Sequence, residues 1–354
     1  MAYEYGAKEP EKLKIKDMTP REKELLIESD TFCILPWIHL HAYPDGRAYP
    51  CCFAFDPFPV GNLNENSMDE VFNGDKMKEM RVRMLNNKKS RECMKCYDQE
   101  KSGFFSLRLS SNKHFGHNIP LVHNTLPDGK ADFVMKYWDI RFSNLCNMAC
   151  RSCGTWFSSN WYEDHKKLTG SPPPHAKIMK VGRSTDDLWE QMLEQFEYTE
   201  QFYFAGGEPI IMPSHWYILE KLHEQKRFDV QVKYNTNMLK LSHQGKHVLD
   251  YWPDWPYELM VIECSLDETQ ERAEWIRYGT DWKRIEQNCN QAVQAGVRVQ
   301  PIISVGAYNI LRLPQIIEEL SELAQNKVSI NCVYNQEWRL ELIDRTERLN
   351  LIDK

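Results

Sequence analysis

The sequence predicts an α/β protein: a parallel sheet of alternating strands and helices, preceded by a small, loop-rich unit. Three observations carry that prediction. From about residue 135 onward, strand patterns alternate with helical ones, the order that βαβ units impose. Residues 31–100 instead combine turn signals with Cys33, Cys51, Cys52, Cys93 and Cys96, as in a unit held by something other than a large core. The whole chain, 354 residues with 42% hydrophobic residues, suits two domains and a core of enzyme size.

Residues 1–30 read as a charged arm ending in a short helix from Arg21 to Ser29. In residues 31–100 the turns fall at Pro36, Pro44-Asp45-Gly46, Pro50, Asp56-Pro57, Pro59 and Gly61-Asn62. Asp45-Gly46 predicts a hairpin between Trp37–Tyr43 and Arg47–Phe53. Met68, Val71, Phe72, Met77, Met80 and Met84 have helical spacing and predict a helix over 67–86, with Ser67 as its cap and Glu70 at N3. Residues 101–134 are polar, contain Gly103, Gly116, Pro120 and Pro127-Asp128-Gly129, and read as a linker.

Beyond it, residues 135–354 alternate. Strands are expected at Tyr137–Ser143, Gln201–Ala205, Val230–Asn235, Leu259–Ser265, Val297–Ser304 and Val328–Tyr334. Helices are expected at Trp156–Leu168, Asp186–Tyr198, Ser214–Lys226, Trp282–Gln294 and Leu313–Gln325, with 169–176 a surface insertion. In such folds ligands bind at the carboxyl ends of the strands, so the segments after each strand carry the chemistry.

Charge and targeting signals exclude some classes. Lys+Arg 44 against Asp+Glu 51 gives −7, which argues against a surface devoted to nucleic acid. The charged N-terminus lacks the apolar core of a signal peptide, and no stretch approaches the roughly 18 apolar residues of a membrane span. A cytoplasmic protein is expected. There thiols stay reduced, so eleven clustered cysteines point to metal or redox chemistry rather than disulfides.

The first cluster comes after the strand at 137–143. Cys146, Cys150 and Cys153 are spaced C-x3-C-x2-C in one loop. Three thiolates so close together can wrap a cluster of soft metal ions, leaving one iron of a four-iron cubane open. A zinc knuckle is the alternative, but its fourth ligand has no nearby candidate before His165. Together with the segments behind each later strand, this motif resembles the signature of the radical S-adenosylmethionine enzymes. Gly206-Gly207-Glu208-Pro209 is similar to the family's GGEP segment, which contacts the methionyl amine. Asn235-Thr236-Asn237 resembles its T-N-G segment, with Met238 in place of Gly. Ser265-Leu266-Asp267, followed by Ile276-Arg277-Tyr278-Gly279, is similar to the S-L-D-G and I-R-G pattern of the peptide-modifying branch. In that branch the Ser contacts the cofactor ribose and the Arg its carboxylate. Val305-Gly306-Ala307-Tyr308-Asn309 resembles the V-x-x-x-N step. Ser152, before the third cysteine, stands where the family often has an aromatic residue. The resemblance spans roughly 135–335 and implies a partial (β/α)6 TIM-like barrel. It implies S-adenosylmethionine held by Gly206, Gly207, Glu208, Asn235, Asn237, Ser265, Asp267 and Arg277, with a [4Fe–4S] cluster on Cys146, Cys150 and Cys153.

The second cluster is Cys33, Cys51, Cys93 and Cys96. The expected hairpin brings Cys33 and Cys51 to one end, and the helix over 67–86 delivers the C-x2-C pair. Four thiolates make a closed site, physically suited to zinc or to a [4Fe–4S] cluster. Cys52 competes with Cys51, which the spacing favours. The arrangement resembles the twitch module, the shortened form of the SPASM auxiliary-cluster domain. That likeness implies one auxiliary [4Fe–4S] cluster, in a module that here precedes the barrel instead of following it. The sequence ends soon after the sixth strand, so no auxiliary domain is expected there.

Weaker features have plainer explanations. The basic residues Lys76, Lys78, Arg81, Arg83, Lys88, Lys89, Arg91 and Lys95 read as a solvated helix face beside anionic thiolates. His39 and His41 read as the polar face of a strand, the Trp-rich stretch Tyr251–Tyr257 as packing, and Cys264, Cys289 and Cys332 as buried small hydrophobes.

The expected activity is reductive cleavage of S-adenosylmethionine to a 5′-deoxyadenosyl radical that abstracts a hydrogen atom, in the oxidative modification of a peptide or protein. Dehydrogenation of a small alcohol or sugar is the second reading, and a zinc-stabilised binding protein the reading from another class. A reducing electron donor is the expected partner, with neither membrane nor nucleic acid. No residue is singled out as catalytic acid or base.

Overall fold

The computed structural model describes residues 15–54, 57–333 and 338–344. Most of the N-terminal arm, Asp56 of the expected Asp56-Pro57 turn, and Tyr334 at the end of the sixth expected strand lie outside them. The chain divides into two compact units, Met1–Phe142 with Lys180–Phe202, and Ser143–Met179 with Tyr203–Lys354. Neither follows the boundary expected within 101–134.

In the first unit, strands β1 (His39–Ala42) and β2 (Arg47–Tyr49) form the expected antiparallel hairpin. Gly46 turns it at φ +87°, where a Cβ would lie 2.2 Å from the Asn62 side chain. β2 pairs antiparallel with β3 (Gly61–Asn62), and β1 pairs parallel with β4 (Tyr137–Ile140), with His41 opposite Asp139. β4 in turn pairs parallel with the start of β5 (Gln201–Phe204).

The helix expected over 67–86 is two helices, Met68–Phe72 and Asp75–Leu85, interrupted at Asn73-Gly74. The expected capping box is present: Glu70 N–H donates to Ser67 Oγ at 3.2 Å, and Ser67 N–H to Glu70 Oε2 at 2.7 Å. Arg81 is fully buried rather than part of a solvated face. It donates to the carbonyls of Pro36, Phe72 and Gly129 and to the Asn73 side chain, and lies over the Phe72 ring at 4.3 Å. Arg81→Met orphans these acceptors and is expected to lower unfolding stability by about 3 kcal/mol in a urea titration. Arg83→Met, at an exposed neighbour, should stay within about 0.5 kcal/mol of the parent.

The segment 101–134 is not a linker. It carries the helices Leu107–Phe115 and Pro120–His123, with Phe115, Ile119 and Val122 buried. Arg108 donates to the Ser29 and Phe32 carbonyls, both at 2.9 Å, and Asn112 binds Phe32 O and Ile34 N. Polar residues that satisfy buried carbonyls leave no hydrophobic period to read, so this packing is silent in the sequence.

In the second unit, β6 (Gln231–Thr236), β7 (Met260–Ser265), β8 (Arg298–Val305) and β9 (Ser329–Cys332) lie in that order, all parallel. The helices Trp282–Gln294 and Leu313–Ala324 pack on β8, as βαβ connections require. The register sorts the two faces. Val232, Tyr234, Ile262, Cys264, Val299 and Ile303 share the buried apolar face, whereas Lys233, Asn235, Glu263, Ser265, Gln300 and Ser304 share the other. Trp252 and Trp255 are core, as expected. Cys264 and Cys289 are buried, but Cys332 is exposed: among the described residues, β9 has a β-partner on one side only. Among the described residues, no helix is long and apolar enough to cross a membrane.

Candidate functional site

The cysteine loop of the second unit is held by asparagine and serine anchors. Asn144 is buried, donates to the carbonyls of Thr155 and Lys177, and accepts from Met179 N–H at 2.8 Å. Ser159 Oγ accepts from Cys146 N–H, and Trp161 Nε1 donates to Cys150 O at 2.8 Å. These bonds hold Cys146 half-buried, Cys150 buried and Cys153 exposed, all three as free thiols. Cys146 feels the field of Cys150, and Cys153 that of both the others. Burial, then the Glu208 carboxylate, push the Cys146 thiol up to about 12. Burial raises Cys150 as well, against the pull of Arg277.

The structure brings the glycine turn directly onto this loop. Glu208 N–H donates to Leu145 O at 2.8 Å. Gly207 sits at φ +54°, and a Cβ there would lie 2.3 Å from the same carbonyl. Only glycine allows that approach. Glu208 is buried, and its carboxylate accepts from Thr236 Oγ1 at 2.7 Å and from Asn237 N–H at 2.8 Å. Burial raises it to about 7 despite these donors. Asn237 Nδ2 donates to Asn147 Oδ1 at 2.8 Å, inside the cysteine loop. Thus Gly207, Glu208 and Asn237 converge on the loop, and Gly206, at φ +82°, leads into the same turn.

Asp267 and Arg277 reach the loop from the other motif. The two-residue strand Arg277–Tyr278 pairs antiparallel with Ala149–Cys150, setting Arg277 opposite Cys150. Arg277 Nε donates to Asp267 Oδ2 at 2.8 Å, and Nη1 to Cys150 Sγ at 3.8 Å. Asn235 and Ser265 stay on their strands and bond each other, with Asn235 also donating to Tyr203 OH at 3.3 Å. Two residues at the loop, Asn147 and Tyr308, were not expected from the sequence. Tyr308 hydrogen-bonds Ser152, the residue before the third cysteine, and lies edge-on to Trp338 at 5.5 Å. Its place in Val305–Asn309 was the available signal.

In the first unit, Cys33 and Cys96 are buried and Cys51 and Cys93 half-buried. Burial pushes Cys51 well above the usual thiol range, and it feels the thiols of Cys52, Cys96, Cys93 and Cys33. Cys52 turns instead to Asp139, donating its S–H to that carboxylate, with Arg141 close by. Cys51 thus has Cys33, Cys93 and Cys96 among its neighbours, while the Cys52 thiol is engaged by Asp139. Backbone donors already face two of these sulfurs: Leu35 N–H at Cys33 and Arg108 N–H at Cys96. Four thiols with such donors suit a soft metal cluster. Among the described residues, no three Cys, His, Asp or Glu are gathered tightly around one metal-ion position.

His39 and His41 line the face of β1. His39 bonds Tyr137 O at 2.8 Å, and His41 lies 3.2 Å from Asp139, which also pairs with Arg141 at 2.9 Å. Several basic residues of 76–95 are tied down locally: Lys76 to Pro59 O, Arg83 to Glu79, and Arg91 to Glu92.

Residues 140–325 match the model of the Radical SAM superfamily, and residues 33–97 that of the SPASM iron–sulfur cluster-binding domain. No curated protein matches the chain. Among solved structures, native anSMEcpe with bound AdoMet and Kp18Cys peptide is similar at 16% identity and a TM-score of 0.40, over 55% of this chain and 50% of that one. SuiB of Streptococcus suis bound to S-adenosylmethionine is similar at 12% identity and a TM-score of 0.46, over 78% of this chain and 61% of that one. The chain spans about half the length of the anSMEcpe structures it matches.

Proposed function

Because the chain belongs to the radical SAM superfamily, whose enzymes use S-adenosylmethionine and a [4Fe–4S] cluster, we propose that it oxidatively modifies a peptide or protein after hydrogen-atom abstraction. When bound, the two cofactors supply the one-electron cleavage that yields the 5′-deoxyadenosyl radical. Cys146, Cys150 and Cys153 would hold the cluster, and Cys33, Cys51, Cys93 and Cys96 the auxiliary [4Fe–4S] cluster that the SPASM match implies.

The observation that carries this reading is the convergence on one loop. Gly207, Glu208 and Asn237 bond to or abut Leu145 and Asn147, beside Cys146, while Asp267 and Arg277 reach Cys150. The cofactor amine would pair with Glu208, which Gly206 and Gly207 bring up against the cysteine loop at Leu145. The S-L-D and I-R-Y-G segments favour a peptide substrate, and the polar face of Lys233, Asn235, Glu263 and Gln300 suits its amides.

Glu208 gives the cofactor site a pH dependence. Below about 7 the carboxyl is protonated and offers an ammonium no charge; above it, the pair forms. Affinity of the reconstituted protein for S-adenosylmethionine is expected to rise about fivefold between pH 6 and 7, following the ionised fraction of a group titrating near 7 and staying below the titration of the cofactor's own α-amino group. Glu208→Gln should bind weakly at both pH values, with that rise gone. Equilibrium binding at each pH measures it, and a variant that keeps the full rise removes Glu208 from the role. The substrate assignment is tested by mass spectrometry of candidate peptides after anaerobic turnover. A peptide should lose two hydrogens or gain a cross-link; conversion of alcohols or sugars alone points to the dehydrogenase reading.

A further inference from the structure

The Arg277 guanidinium is held against the Cys150 sulfur by more than a cofactor contact requires. Its side chain is 14% exposed, and strand pairing fixes its backbone opposite Cys150. Asp267 Oδ2 takes its Nε, and the other Asp267 oxygen accepts Ser304 N–H at 2.8 Å, so the carboxylate cannot swing away. Asn309 Nδ2 donates to Asp267 O, fixing that residue's backbone too. On the loop side, Arg151 N–H donates to Ile276 O, and Arg151 stacks on Trp275 at 4.1 Å. The nitrogen left pointing at sulfur is Nη1, 3.8 Å from Cys150 Sγ.

We propose that Arg277 is a positioning residue that tunes the cluster: it keeps a positive charge and an N–H donor on the Cys150 sulfur, and so raises the cluster's reduction potential. This rests on reading Cys146, Cys150 and Cys153 as cluster ligands. The physical ground is general. Reduction adds one electron and no proton to a thiolate-ligated cluster, so a nearby cation and a hydrogen bond to sulfur stabilise the reduced form more than the oxidised form. In a half-buried site that field is weakly screened. Asp267 offsets part of the charge but also aims it, which distinguishes the arrangement from a surface arginine.

The test is a redox titration with dithionite, followed by electron paramagnetic resonance, on reconstituted protein without S-adenosylmethionine. Omitting the cofactor separates tuning from cofactor binding. The Cys146, Cys150, Cys153 triple alanine variant supplies the auxiliary-cluster signal for subtraction. At a fixed potential near the midpoint, Arg277→Gln should show an about tenfold lower ratio of reduced to oxidised cluster, which for a one-electron couple is about 59 mV. Arg277→Lys keeps the charge without the planar fork and should fall by less. A wild-type midpoint in Arg277→Gln at equal iron content overturns the proposal. If Arg277→Gln fails to retain iron, Arg277→Lys decides, and an unchanged or raised midpoint there overturns it equally. Wild-type protein that assembles no cluster on the three cysteines overturns the functional reading along with it.

Discussion

Replacing Cys146, Cys150 and Cys153 together by alanine is expected to reduce cleavage of S-adenosylmethionine to background and to remove one cluster while sparing the other. The three thiols lie in one loop of the second unit, whereas Cys33, Cys51, Cys93 and Cys96 lie in the first. Each group has its own hydrogen-bonded surround, so loss of one should not unfold the other. Iron should fall from about eight to about four per chain, with sulfide in parallel. The complementary Cys52→Ala variant should retain all of its iron, since the Cys52 thiol is taken up by Asp139. Loss of the auxiliary iron in that variant would move the ligand from Cys51 to Cys52.

The second large effect belongs to Gly207→Ala. A Cβ at this position would lie 2.3 Å from Leu145 O and 2.6 Å from the Met212 methyl, at φ +54°. The methionine can move, but the carbonyl belongs to the backbone that leads into Cys146. Relief therefore requires shifting the cysteine loop, and displacement of a reacting centre by about 1 Å typically costs about 100-fold in rate. Cofactor cleavage should fall by about that factor. Gly170→Ala is the control: its φ is +76°, but nothing lies within 4 Å of the new Cβ. It should cost roughly 1 to 2 kcal/mol of stability from the left-handed backbone and leave cleavage unchanged. Equal losses in both variants would show that backbone strain, not the contact with Leu145, is responsible.

Much of the second unit was legible in the sequence because its signals are local. Strands and helices follow period and length, and the spacing of Cys146, Cys150 and Cys153 needs no tertiary knowledge. The Asp45-Gly46 turn and the Ser67–Glu70 capping box are equally local, and both appear where expected. What the sequence hid depends on polar groups that pack. Arg108 and Asn112 make residues 101–134 structural by binding the carbonyls of Ser29 and Phe32, distant in sequence. Arg81 looked like one of a basic row and is instead buried over Phe72. At the site, Glu208, Asn235, Asn237, Asp267 and Arg277 each stood out in the sequence, but their pairing did not. Asp267 with Arg277, and Asn237 with Asn147, are contacts between motifs that no single segment encodes. Cys332 differed for a simple reason: a strand pattern does not say which strand lies at an edge.

The most direct measurement incubates the anaerobically reconstituted protein with S-adenosylmethionine and dithionite, without substrate, and quantifies products by chromatography. The expected products are 5′-deoxyadenosine and methionine in equal amounts, absent from the triple alanine variant. Protein that carries zinc without sulfide and forms no 5′-deoxyadenosine, or a triple variant that still forms it, contradicts the assignment of Cys146, Cys150 and Cys153.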